Sequence, residues 1–208
     1  MFNAYSIRLT VTGPRAHKLF GDNYNDKRYL NLLNVMTNFL IDRPFIKSVN
    51  IGMATGIDLL FGLATLRRRK LCNDLKVNCF IPGINQTRYY SEKEKEIYKF
   101  IIDRCDEVYQ VTNKECAPEV LKKRSRVMVD NCDWVLAFWD YQKYKSSTYS
   151  TINYALKQDK TIYIINPLNV YYREFYHISE EEYNKRNLLL NNYFSKEMEI
   201  YKEYTSEL

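Results

Sequence analysis

The chain has 208 residues and a net charge of +6, and 46% of its residues are apolar. This length and composition suffice to bury one sizeable core, which excludes an intrinsically disordered protein. No apolar run reaches the ~20 residues that span a bilayer, and the N-terminus lacks the basic and apolar segments of a signal peptide. Five scattered cysteines without a CxxC pair are typical of reduced thiols. We therefore expect a cytoplasmic protein with no membrane partner, no disulfide framework and no metal site.

The positive charge is unevenly distributed along the chain. Residues 168–208 carry five basic and eight acidic side chains, so the preceding residues, 1–167, are strongly basic. A basic surface attracts small phosphorylated ligands or nucleic acid. The densest basic run, residues 67–70, falls at a predicted helix end, where it is expected to complement the helix dipole.

Strand and helix patterns alternate between residues 6 and 165. Apolar, β-rich runs predict strands at 6–12, 48–51, 76–81, 107–111, 133–139 and 161–165. Helical spacing and capping residues predict helices after Asn25 or Asp26, at 57–69, from Ser91 to about Arg104, from Pro118, and at 148–158. The alternation predicts an α/β fold with a doubly wound, mainly parallel sheet of the Rossmann-like kind.

The turn between the second strand and the second helix, residues 51–58 (IGMATGID), is the first indication of function. Gly52 and Gly56 lack a Cβ where the backbone turns sharply or a ligand comes close. The helix that follows would direct its free N–H groups and positive dipole end at a phosphate. This turn predicts nucleotide recognition.

Four predicted strands end in residues suited to a ligand site: 12–15, 52–56, 82–83 and 139–140. In a parallel α/β sheet, ligands bind beyond the carboxyl ends of the strands. We therefore expect these segments to meet on one rim, although they are spread over more than a hundred residues of sequence.

The same segments resemble the YpsA-like branch of the SLOG superfamily, which also includes DprA and the Lonely Guy phosphoribohydrolases. Four blocks carry the resemblance, namely 12–21 (TGPRAHKLFG, similar to TGxRPxKLxG), 52–58 (GxAxGxD), 81–86 with Tyr89 and Tyr98, and 124–133 (RSRVMVDNCD, similar to RNxxMVDxxD). They occur in the family's order across about residues 6–166. The resemblance implies a SLOG-type, Rossmann-like nucleotide-binding domain over residues 1–167.

The chain departs from the superfamily's motifs in several places. Residues 146–148 (SST) replace the usual Gly-Gly-Thr turn after the fifth strand, so Cβ atoms limit how closely a ligand approaches. The following residues, 148–151 (TYST), lack the catalytic glutamate of the Lonely Guy GGxGTxxE motif. In the opening motif, Pro14 precedes Arg15 and Ala16 replaces the usual proline. The resemblance therefore favours ligand binding over hydrolysis.

Strand-end positions and family motifs together define the predicted ligand site. Its residues are Thr12, Gly13, Arg15, His17, Lys18, Gly52, Met53, Ala54, Gly56, Asp58, Pro82, Gln86, Arg124, Arg126, Trp139, Asp140, Ser146, Ser147 and Thr148. We assign no metal ligand, no catalytic residue and no cofactor other than the expected nucleotide-type ligand.

Several of these residues also have a structural interpretation. Asp58 would complement a helix dipole without any ligand. Arg124 and Arg126 precede two acidic residues, Asp130 and Asp133, so internal ion pairing and phosphate binding both remain open. Trp139 would stack on a base or close the edge of the core.

Three functional hypotheses follow. The leading one is a protein that binds a nucleotide or nucleotide-derived signal, such as an ADP-ribose-type molecule, and sequesters it, for instance in a phage countering host defence. The second is an enzyme cleaving an N-glycosidic or phosphate bond with Asp58, Asp130 or Asp140. The third is a DprA-like binder of single-stranded DNA, which would weaken steeply with salt.

Residues 168–208 lie outside the resemblance. Residues 171–176 form an aromatic connector, and apolar residues recur at helical spacing from Glu180 onward. This pattern predicts a C-terminal helical extension that packs on the domain or on a partner subunit. Because an aromatic stripe suits an interface core, we also expect a homo-oligomer.

Overall fold

The computed structural model describes residues 6–71, 73–140 and 145–169. The strands are β1 (Ile7–Thr12), β2 (Ile46–Ile51), β3 (Lys76–Ile81), β4 (Glu107–Gln110), β5 (Trp134–Phe138) and β6 (Thr161–Ile165). The helices are α1 (Lys27–Ile41), α2 (Ile57–Leu71), α3 (Glu92–Ile102), α4 (Pro118–Asp130) and α5 (Ser147–Lys157). A short 3-10 helix, Ala16–Lys18, follows β1.

The six strands form one parallel sheet with the order β4-β3-β2-β1-β5-β6. This arrangement confirms the predicted α/β, doubly wound fold. The chain runs from β1 outward to β4 and then crosses back to place β5 beside β1. The carboxyl ends of β1 and β5 therefore flank the topological switch point, where sheets of this kind open a ligand crevice.

The helices pack in two groups: α2 contacts both α1 and α3, and α4 contacts α5. The buried core includes Tyr29 of α1, Phe61 of α2 and Phe138 of β5. In contrast, all four residues of β4 are exposed, as expected of a strand at the edge of the sheet. The core thus centres on the inner strands, whose carboxyl ends carry the predicted site.

Local sequence signals place three helix starts at the predicted positions. The Asp26 carboxylate accepts from the Arg28 N–H at 2.8 Å and caps α1. Ser91 and Glu94 form the predicted capping box of α3. Pro118 is the first residue of α4, where its missing N–H costs nothing.

The basic run at the end of α2 has more partners than the helix dipole. Arg67 is buried. Arg68 forms an ion pair with Asp74, and Arg69 donates to Asp106 at 2.8 Å. Arg68 and Arg69 therefore brace the connections around β3, and their guanidinium groups are engaged within the protein.

None of the helices within the described ranges is both long and apolar enough to cross a membrane. The predicted aromatic connector and C-terminal helical extension lie outside the described residues, which end at 169.

Candidate functional site

The turn from β2 to α2 is fitted closely around its glycines. A Cβ on Gly52 would lie 2.6 Å from the Arg124 guanidinium. Gly56 has φ +80°, and a Cβ there would lie 2.5 Å from the backbone nitrogen of Ala16. Gly56 is therefore required on two counts, because its backbone is left-handed and the loop after β1 packs directly against it. The segments that follow β1 and β2 are therefore in direct contact.

Asp58 and Arg124 form a buried pair beneath this turn. Their residues are only 6% and 8% exposed, and Arg124 Nη1 lies 3.7 Å from Asp58 Oδ2. Arg124 also donates to the Gly52 carbonyl, and Asp58 accepts from the Ala54 N–H at 3.2 Å. The pair therefore ties α4 to the start of α2. Of the two interpretations of Arg124, the structure shows internal ion pairing, with Asp58 as the partner in place of Asp130 or Asp133.

Three backbone N–H groups at and before the start of α2, which the sequence pattern predicts to be free for a phosphate, have acceptors within the protein. The Ala54 N–H donates to Asp58, and the Gly56 N–H donates to the Tyr24 hydroxyl at 2.6 Å. The Ile57 N–H donates to the Pro14 carbonyl at 3.2 Å. These three donors are already bonded within the protein, so they are not available to a phosphate.

Burial dominates the titration of the groups that brace this turn. It raises the pKa of the Asp58 carboxyl, although the Arg124 charge and the Ala54 N–H oppose the shift. Burial also raises the pKa of the Tyr24 and Tyr90 phenols. Both phenols therefore stay neutral at physiological pH, so Tyr90 can donate its proton to the Met53 carbonyl at 2.9 Å.

One concavity of the rim is a cavity of about 600 Å³ between α4 and α5, here called the α4/α5 cavity. Its floor includes the end of β1 at Thr12 and Gly13. Among the described residues, its lining contains one carboxylate, that of Asp58, and six basic side chains: Arg15, Lys122, Arg124, Arg126, Lys145 and Lys157. Since Asp58 pairs with Arg124, the remaining basic groups leave the cavity strongly positive.

The start of α5 lies at this cavity and supplies backbone donors. The Ser146 hydroxyl caps the helix by accepting from the Tyr149 N–H at 3.1 Å. Helix geometry leaves the N–H groups of Ser147 and Thr148 without an intrahelical acceptor. Ser146 and Ser147 both line the cavity. The start of α5, with its positive dipole end, thus lies at a basic concavity, an arrangement that suits a phosphate.

Two further cavities adjoin the first at Arg15. One, of about 310 Å³, lies beside the end of β5 and includes the predicted residues His17, Lys18, Trp139, Asp140 and Thr148. The other, of about 640 Å³, lies toward the start of α3 and is here called the α3-side cavity; His17, Ala54 and Gln86 line it. Arg15 lines all three cavities and is the most central of the predicted residues.

Four predicted residues line none of these three cavities: Gly52, Met53, Gly56 and Pro82 are buried. Met53 holds a left-handed backbone (φ 60°) with its side chain fully buried, so it shapes the turn from within. Trp139 is only 9% exposed and packs with Ala137 and Ile152, consistent with its interpretation as part of the core.

Comparison with known proteins fits this architecture. The YpsA family model, described as "YspA SLOG family", matches residues 9–172. The chain belongs to the YpsA SLOG family. Among curated proteins, UPF0398 proteins of Bacillus anthracis (strain A0248) and Bacillus cereus (strain B4264) are each 31% identical over 77 residues. The match covers 36% of this chain and 42% of each relative, so the chain spans less than half of their length.

Solved structures share the fold of this YpsA SLOG domain. DNA processing protein A (DprA) from Streptococcus pneumoniae has a TM-score of 0.50 at 15% identity. The match covers 77% of this chain and 50% of the DprA chain. DprA from Helicobacter pylori has a TM-score of 0.50 at 14% identity, and the match covers 90% of this chain and 82% of the DprA chain. The H. pylori protein is described as having a unique mode of binding single-stranded DNA.

The carboxylates considered for catalysis lie in different settings in this YpsA SLOG domain. Asp58 is buried in its pair with Arg124. Asp130 accepts a hydrogen bond from the Tyr154 hydroxyl at 2.8 Å. Asp140 lines the smaller cavity beside β5 and not the α4/α5 cavity. The structure therefore does not bring these three carboxylates together.

Half of the basic side chains that line the α4/α5 cavity could not be predicted from the sequence. Lys122, Lys145 and Lys157 lie on or beside α4 and α5, where a lysine ordinarily signals a solvated helix surface. Arg126 belongs to the predicted site, and its guanidinium carbon lies 5.3 Å from the Tyr154 ring centroid. The spacing of Lys122 and Arg126, four residues apart, places both on one face of α4. This four-residue spacing is visible in the sequence, but it does not show which neighbouring element that face of α4 contacts.

Proposed function

We propose that this protein binds a nucleotide or nucleotide-derived small molecule, with its phosphate in the α4/α5 cavity. The charge of that cavity carries the proposal, because five basic side chains besides the paired Arg124 line it. A phosphate at the start of α5 would meet the Ser147 and Thr148 N–H groups with Arg15 at the junction of the cavities. Membership of a SLOG family supports the same class of ligand.

We propose binding without turnover. The Lonely Guy glutamate has no counterpart in residues 148–151. Of the described residues that line the α4/α5 cavity, Asp58 alone carries a carboxylate, and it is buried in an ion pair. A protein of this kind would store, sense or sequester its ligand and release it unchanged. The hydrolase hypothesis would instead require a new product to appear.

Single-stranded DNA is the second candidate. One observation favours it: the H. pylori neighbour is described as a single-stranded DNA binder, and the α4/α5 cavity of this chain is basic. A DNA-binding cavity predicts affinity for oligonucleotides that falls steeply as salt rises, because counterions are released on binding.

Replacing Arg15 with alanine is expected to weaken binding about tenfold to a hundredfold, since a hydrogen bond to a charged group contributes about 1.5–3 kcal/mol. Equilibrium dialysis with nucleoside 5′-monophosphates, ADP-ribose and a short oligothymidylate would measure this, with mass spectrometry of the bound fraction. Arg104→Ala is the matched control, because Arg104 is exposed, packs on Phe100 and lines none of the three cavities.

Recovery of an intact small ligand that Arg15→Ala no longer retains would support the proposal. A new product would establish an enzyme in its place. Preferential, salt-sensitive retention of the oligothymidylate would establish a DNA binder, and failure to bind any of these probes would reject the proposal.

A further inference from the structure

The α3-side cavity is continuous with the proposed phosphate site. It has a volume of about 640 Å³ and shares Arg15, Ala54 and Leu121 with the α4/α5 cavity. Each of the two cavities falls within the usual size range of a ligand pocket, roughly 300–1,000 Å³. A ligand that places a phosphate near Arg15 therefore has a second concavity within direct reach.

The two cavities differ in charge. Carboxylates are concentrated on the α3 side, where Asp22 and Glu115 line the cavity together with the basic residues Arg15 and Arg88. Glu94 also lines it, but its carboxylate is bonded in the capping box of α3. Such a balanced lining does not attract a second phosphate in the way the α4/α5 cavity does. Carboxylate oxygens instead accept hydrogen bonds from hydroxyls and N–H groups, which ribose and the nucleobases supply. The charge difference thus separates a phosphate side from a nucleoside side.

Tyr89 gives the α3-side cavity an aromatic surface. It is 87% exposed, with the Arg88 guanidinium carbon 5.5 Å from its ring centroid. The neighbouring residues are held in place, because Tyr90 donates to the Met53 carbonyl and Gln86 donates to the Gly52 carbonyl at 3.1 Å. Single exposed aromatics are ordinary on protein surfaces. Tyr89 differs in lining a polar cavity that adjoins a basic one.

We propose that the α3-side cavity is the nucleoside subsite of this protein and that Tyr89 stacks on the base. The inference rests on the proposed function, since the phosphate of the same ligand lies in the α4/α5 cavity. Stacking on an aromatic ring contributes about 1–3 kcal/mol per base and depends little on which base is bound. Tyr89 therefore determines selection for a nucleoside over a bare sugar phosphate.

The test compares a ligand with a base and one without. Affinities of the wild-type protein, Tyr89→Ala and Lys122→Ala are measured by calorimetry for AMP, GMP, CMP, UMP and ribose 5-phosphate. Tyr89→Ala is expected to weaken the best-binding monophosphate about tenfold or more while leaving ribose 5-phosphate unchanged. Lys122→Ala is expected to weaken both, because Lys122 lines only the phosphate side.

Tyr109→Ala is the matched control. Tyr109 is also exposed, at 44%, but lies on the edge strand β4 and lines none of the three cavities. An unchanged monophosphate affinity in Tyr89→Ala, or an equal loss for ribose 5-phosphate, would overturn the nucleoside subsite and leave the proposed function standing. If wild type bound neither these five probes nor the ADP-ribose of the dialysis panel, the proposed function would fail first, together with this inference.

Discussion

Arg124→Met is expected to lower the free energy of unfolding by about 3–5 kcal/mol at neutral pH, the cost of leaving one member of a buried ion pair uncompensated. The substitution leaves the buried Asp58 carboxylate with the Ala54 N–H but without its cation. It also removes a donor to the Gly52 carbonyl. Urea unfolding followed by the fluorescence of Trp134 and Trp139, in and beside β5, measures the effect.

The loss caused by Arg124→Met depends on pH. Arg124 opposes the burial that raises the pKa of Asp58, so its removal raises that pKa further. A carboxyl whose pKa is higher in the folded state than in the unfolded state contributes most to stability at pH values below its unfolded pKa, about 3.9. This contribution is lost as pH rises through the folded-state pKa. We therefore expect the free energy of unfolding of Arg124→Met to fall short of the wild-type value by less at pH 5 than at pH 7.5.

Two further variants separate the ion pair from ordinary effects of substitution. Arg126→Met changes an arginine on the same helix that is not buried and should alter stability by no more than about 0.5 kcal/mol. The double variant Asp58→Leu/Arg124→Met buries no charge and should be less destabilised than Arg124→Met alone. If the double variant lost as much stability as Asp58→Leu and Arg124→Met lose together when measured singly, the two side chains would not act as a pair.

Gly56→Ala is expected to destabilise the fold by about 2–5 kcal/mol, the combined cost of a left-handed alanine and of overpacking. The new Cβ would lie 2.5 Å from the Ala16 backbone nitrogen and 2.6 Å from the Pro14 carbonyl oxygen. Relief of this contact must move the loop after β1 that carries Arg15. We therefore expect nucleotide affinity to fall as well, by at least the loss seen for Arg15→Ala.

Gly21→Ala isolates the steric part of this cost. Gly21 has φ +84°, close to the value at Gly56, yet a Cβ there would point into open space, with no heavy atom beyond its chain neighbours within 4 Å. Its substitution should cost only about 1–2 kcal/mol, which is the cost of the left-handed conformation. If thermal and urea unfolding showed that Gly21→Ala and Gly56→Ala lose equal stability, the contact between the loops after β1 and β2 would not contribute to stability.

The sheet, the helix starts and the rim could be predicted from the sequence because they depend on short-range patterns. Ser91 and Glu94 specify the start of α3 within four residues, and the apolar run at 134–138 can only be a buried strand in an alternating chain. The parallel order then brings Thr12 and the end of β5 together by topology alone.

Side-chain pairing was the part that the sequence did not determine. Asp58 and Arg124 are 66 positions apart, and the nearby Asp130 and Asp133 offered equally good charges. In the structure, Asp133 forms an ion pair with Arg8, and Asp130 accepts a hydrogen bond from the Tyr154 hydroxyl. The bond between the Gly56 N–H and the Tyr24 hydroxyl cannot be predicted either, because Tyr24 lies in a different segment. Such contacts depend on packing between distant elements.

The most direct test of the phosphate site is a crystal structure of the protein with its best-binding nucleotide. We expect phosphate oxygens within hydrogen-bond distance of the Ser147 and Thr148 N–H groups, with the Arg15 guanidinium beside them. A phosphate bound instead to the turn at residues 52–56, or a nucleotide lying outside the α4/α5 cavity, would refute the proposed site.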